Sequence, residues 1–113
     1  MKAPEVIWRP SDDFLENSNI ARLMKKQGLA GYRELLDWSV EDSPRFWSAV
    51  MEDMGVEWYR PFDRVLDTSG GFPWEKWFVG GEINIVHNCI DRHLQGPKKD
   101  QTALIWEGDG GEV

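Results

Sequence analysis

Cysteine is nearly missing from this sequence: Cys89 is the single thiol in 113 residues. One thiol makes no intrachain disulfide, which excludes a disulfide-stapled scaffold and fits a reducing compartment. Long apolar runs are missing too. Nothing approaches the ~20 residues of a membrane-spanning helix, and Met1 to Pro10 has no apolar stretch like a secretory signal. A cytoplasmic protein with no membrane partner is the expectation. Positive charge is scarce: 13 Lys and Arg stand against 20 Asp and Glu, leaving a net charge of −7. The basic residues are interleaved with acids, so no patch neutralises a phosphate backbone, and no nucleic-acid partner is expected. Internal repeats and low-complexity segments are absent.

Tryptophan is what the chain has in quantity, with seven copies. Each buries much area, so a chain with few residues to spare can use them for a small core or a docking face. The chain is long enough for one small domain, not for a nucleotide-binding domain plus a substrate domain.

The first half reads as short helices. Ser11 caps a turn through Asp12, Asp13, Phe14 and Leu15, with acids at the positive end of the helix dipole. Ser18 opens a second helix over 19–27, with Ile20, Leu23 and Met24 on one face and Gly28 as its stop. Residues 32–38 form a third, turning Tyr32, Leu35 and Leu36 inward. A fourth starts at Ser43 as N-cap with Pro44 in the first helical position. Its stripe of Phe46, Trp47, Val50, Met51 and Met54 has helical spacing and is assigned to the core. Gly55 gives the left-handed exit.

The middle changes character. Residues 57–60 and 64–67 are short extended pieces around Pro61. Thr68 to Gly71 is a turn, 72–78 is dense in aromatics, and Gly80-Gly81 is a second break. The first unit is drawn to end there, at residue 82. Asn84 then caps a helix from Ile85 to about Leu94, with Ile85, Val86, Cys89, Ile90 and Leu94 as its apolar face. Residues 102–106 are apolar and β-branched enough for a buried strand. The fold class is therefore mainly α with short extended segments, followed by one helix and one strand of an α/β domain.

Several constellations suggest chemistry and fail on spacing. His87, Cys89, Asp91 and His93 are metal-ligand types. On one helix, His87 pairs with Asp91 and Cys89 with His93, and the two pairs point roughly 160° apart. Cys89 with His93 has the types of a nucleophile and base, yet Cys89 sits on the apolar face, as a buried packing thiol does. The glycine pairs at 70–71, 80–81 and 110–111 have no Lys-Ser/Thr at the offset a phosphate loop needs. Trp58, Tyr59, Trp74, Trp77 and Phe78 make either an aromatic platform or a packing face. No catalytic, cofactor-binding or metal-ligating residue is assigned.

From Trp77 the sequence resembles a known family. Trp77-Phe78-Val79-Gly80-Gly81-Glu82-Ile83-Asn84 leads to Asn88-Cys89-Ile90-Asp91-Arg92-His93-Leu94 and then to Thr102-Ala103-Leu104-Ile105-Trp106-Glu107-Gly108-Asp109. This resembles the N-terminal region of AMP-forming acetyl-CoA synthetases and related short-chain acyl-CoA synthetases. Upstream, Trp8-Arg9-Pro10-Ser11, Asn17-Ser18-Asn19-Ile20, Trp38-Ser39-Val40 and Phe46-Trp47 fall in the family's order. The resemblance implies a helical cap over 1–82 and the start of an adenylation domain over 83–113, truncated before the catalytic motifs. For a full-length member it implies ATP, Mg²⁺ and CoA, which activate a short-chain carboxylate and release AMP and pyrophosphate. For this chain alone it implies no cofactor and no activity. The implied partner is the remainder of an adenylation domain, in cis or in trans, with homo-oligomerisation left open.

Two other readings stay beside it. One is a free-standing interaction or regulatory module docking through its Trp-rich face. The other is a small metal- or thiol-dependent enzyme built on Cys89 and His93. The strand at 102–106 lacks a neighbour in the sequence, so amides beyond Ile85 should exchange with solvent faster than those of 44–54. Equal protection of the two stretches in a hydrogen-exchange measurement would contradict this.

Overall fold

A computed structural model of the chain describes residues 7–111. Its elements are α1 (Asp12–Asn17), α2 (Asn19–Gln27), α3 (Tyr32–Glu41), α4 (Ser43–Asp53), β1 (Arg64–Asp67), β2 (Lys76–Val79) and α5 (Ile85–Cys89), then a 3₁₀ turn, Asp91–His93. The expected class, mostly helical with short extended pieces, is what forms. By compactness the chain divides into 1–55 and 56–113.

In the first unit, local capping chemistry places the helix starts. Ser11 and Ser18 accept hydrogen bonds from the Phe14 and Ala21 N–H groups, at 3.3 and 3.1 Å. These satisfy donors that have no partner inside the helix. Gly28 ends α2 at φ 69°, a backbone conformation costly for any residue with a Cβ. Two starts or ends differ from expectation. Helix α3 runs three residues past Trp38, to Glu41. Asp42, not Ser43, caps α4: its carboxylate accepts from the Arg45 N–H at 3.1 Å. Ser43 instead donates its hydroxyl to the Ser39 carbonyl at 2.7 Å, because that helical carbonyl lies one turn behind it.

The four helices enclose little. Leu23 and Leu35 are the buried apolar side chains of this unit, at 7 and 6 % exposure. Trp38 and Phe46 meet edge to face at 5.4 Å, and Phe46 meets Trp47 at 5.3 Å. The stripe on α4 is not sealed, however. Trp47 keeps 39 % and Met54 58 % of its surface exposed, and across from them Tyr32 keeps 62 % and Leu36 41 %. Helices of six to eleven residues cannot wrap one another, so the apolar faces line an open groove in place of a closed core.

In the second unit β1 and β2 pair antiparallel, with Arg64 opposite Val79, Leu66 opposite Trp77 and Asp67 opposite Lys76. A further bridge joins Arg60 to Glu82. The 64–67 piece was legible as extended; β2, which overlaps the end of the aromatic run 72–78, was not. Trp58, Phe62 and Phe78 pack as a ring cluster with centroids 5.1 to 5.4 Å apart. Phe78 has φ 49°, rare for a bulky side chain. The cluster on its ring offsets the cost of that backbone.

Three expectations for residues 84–106 need correction. The helix expected to reach Leu94 stops at Cys89, because Ile90 (φ −127°, ψ −66°) leaves helical space before the 3₁₀ turn. Its apolar face is turned outward: Ile85 is 67 % exposed, and Cys89 is exposed, not buried. Residues 102–106 form no strand and lie open to solvent. A strand needs a neighbour to satisfy its backbone, and none of the described residues supplies one.

Leu35, at 6 % exposure, is one of two well-buried apolar side chains among the described residues of the helical unit. Replacing it with Ala should therefore destabilise the helical unit by roughly 2–4 kcal/mol, read as a lower urea midpoint for loss of helical circular dichroism. A change under about 0.5 kcal/mol would show that Leu35 does not organise these helices.

Candidate functional site

Two places concentrate named side chains: an apolar groove in the first unit and a polar clamp in the second. The groove, of about 410 Å³, lies between α2, α3 and α4 and is lined by Leu23, Tyr32, Leu36, Phe46, Trp47 and Val50 among others. Its rim is charged. Arg22 grips Asp53 through two bonds, Nη2 to Oδ2 at 2.8 Å and Nε to Oδ1 at 3.3 Å. Lys26 reaches Glu52 at 2.8 Å. The Arg22 hydrogen bond holds the Asp53 carboxyl below its ordinary range, and the same contact raises Arg22. These pairs tie α2 to α4 along one edge of the groove and leave its apolar floor open.

The clamp centres on Asn88, buried at 7 % exposure. Asn84 caps α5, its side-chain oxygen accepting from the N–H groups of Val86 at 2.9 Å and His87 at 3.2 Å. One turn later Asn88 points into the unit. Its Oδ1 accepts from the Glu57 N–H at 2.8 Å, and its Nδ2 donates to the Glu57 carbonyl at 2.9 Å and to the Asn84 carbonyl at 3.1 Å. One amide thus satisfies both backbone groups of an extended residue 31 positions away, as a neighbouring strand would. His87 Nε2 lies 2.6 Å from Glu57 Oε2, and the Tyr59 ring sits 5.8 Å from the imidazole. Arg92 Nη1 approaches Asn88 Oδ1 at 3.4 Å.

The structure therefore disperses the residues that had looked like chemistry. His87 pairs with Glu57, not with Asp91. The break at Ile90 removes the single helix on which four ligand types were to be compared. Cys89 and His93 line a shallow surface hollow with Lys98 and Lys99. Among the described residues no three His, Cys, Asp or Glu side chains gather around one point. Of the aromatic set, Trp58 and Phe78 pack together, Tyr59 turns to His87, and Trp74 stays 71 % exposed. Asn88 was missed as the organising residue. A polar residue amid an apolar run, four after a capping Asn, was the available signal.

The glycine pair at 80–81 is closely packed. A side chain at Gly80 would strike the Asp63 carboxylate, and one at Gly81 would come within 2.8 Å of the Trp58 ring. These glycines are packed against an acid and an aromatic ring, the reverse of a phosphate cradle.

Comparison with known proteins falls on one group. Residues 32–89 match the family described as acetyl-coenzyme A synthetase N-terminus. The chain is 38% identical over 102 residues to an acetyl-coenzyme A synthetase of Methanothrix soehngenii, covering 88% of this chain and 15% of that protein. It is also 38% identical over 99 residues to an uncharacterized 16.9 kDa protein in the acs 3′ region of the same organism, covering 88% of this chain and 66% of that one. Among solved structures, an acetoacetyl-CoA synthetase from Streptomyces lividans superposes with a TM-score of 0.69 and 27% identity, over 80% of this chain and 15% of that one. The chain thus spans about one seventh of the synthetases it matches. Among the described residues no helix is long and apolar enough to cross a membrane.

Two outcomes test this geometry. Asn88→Ala strands both backbone groups of Glu57 and should cost about 1–3 kcal/mol in urea unfolding followed by tryptophan fluorescence. His87→Ala, which removes a half-exposed contact, should cost less than half as much. The second test concerns acid. Asp53 titrates lower in the folded chain than unfolded, so its contribution is complete above the ordinary Asp value of ~3.9 and is lost as pH falls through the depressed folded value. Asp67 behaves the same way through the Ser69 N–H that it accepts from. Asp53→Asn should flatten the fall of stability below about pH 4; an unchanged acid limb would show that the Arg22 contact is not formed in solution.

Proposed function

The chain belongs to the acetyl-coenzyme A synthetase N-terminus family, and on that premise we propose that it serves as the capping and scaffolding segment of an AMP-forming short-chain acyl-CoA synthetase. In this reading 1–82 is the helical cap and 83–113 begins the adenylation domain. The rest of that domain, in cis or in trans, supplies the sites for ATP, Mg²⁺, CoA and the carboxylate, in the cytoplasm. The chain contributes no catalytic group of its own.

The observation that carries this is surface. The chain exposes 9822 Å² for a mass of 13.1 kDa. Trp8, Phe14, Tyr32, Phe72, Trp74 and Trp106 each keep more than 60 % of their surface exposed. Apolar area on this scale is suited to being covered by a larger body. The open groove, lined in part by Leu36, Phe46 and Trp47, is one apolar part of that surface. A free-standing docking module would share the exposed aromatics, but the match to synthetases along 88% of the chain favours the first reading.

Substitution of this chain for the matched region of the Pasteurella multocida acetyl-coenzyme A synthetase, a relative 36% identical over 107 residues, tests the reading. The chimera should form AMP in an acetate- and CoA-dependent reaction within about tenfold of its parent's rate, a loss of under ~1.4 kcal/mol in the barrier. The chain alone should show no ATP or CoA heat in micromolar calorimetry. A folded but inactive chimera, or ATP binding by the chain alone, would refute the assignment.

A further inference from the structure

We draw no further inference here: the strongest candidate, the apolar groove between α2, α3 and α4 with Arg22 and Asp53 on its rim, carries nothing further, because nothing in the structure shows what covers it and the proposed function already gives this surface to a larger body.

Discussion

The second half of the chain depends on one side-chain amide. Asn88 is buried, and its two polar atoms answer the N–H and the carbonyl of Glu57. A backbone N–H and carbonyl drawn partly out of water must both find partners, and each one left unmet costs more than a typical bond contributes. The usual solution is a neighbouring strand. Here a helix supplies it through one asparagine, and that fixes which way α5 faces. With Asn88 inward, the apolar Ile85, Val86 and Ile90 are carried outward, and the helix ends at Cys89. The exposure of that apolar face is thus a consequence of satisfying the backbone of another segment.

The first half is limited by length. Its helices run six to eleven residues, and helices so short gain little from their own hydrogen bonds and must be held by packing. Yet they bury only Leu23 and Leu35 well. Caps from Ser11, Ser18 and Asp42, the fork from Arg22 to Asp53 and the contact from Lys26 to Glu52 do the positioning. What they position is an open groove.

Much of the local structure could be read from residue order. Ser11, Ser18, Gly28 and Gly55 marked helix boundaries through chemistry confined to one turn of chain. The extended piece 64–67 followed from its composition. The family followed from the run between Trp77 and Asp109, in which identities at fixed spacing carry more information than pattern does. The misses share another cause. Ser43 and Asp42 are both good caps, and the choice between them depended on whether Ser39 offered a carbonyl to the Ser43 hydroxyl. The strand 76–79 was hidden because its aromatics fit a core, a platform or a sheet equally well until β1 stood opposite. The helix expected over 85–94 and the strand expected over 102–106 were inferred from apolar patterns, and the described residues leave both patterns uncovered.

The sequence by itself thus determined most of the helix starts, the mostly helical class and the family, because each rests on contacts within a few residues or on identities that need no geometry. The tertiary structure decided which faces are covered. It put Asn88 inside and Cys89 outside, paired His87 with Glu57, packed Asp63 and Trp58 against the glycines at 80 and 81, and, among the described residues, gave 102–106 no paired strand. These outcomes turn on which distant groups are available to satisfy a buried backbone atom or cover an apolar side chain. Glu57 and Asn88 lie 31 residues apart, and nothing in the local order of either one announces the other.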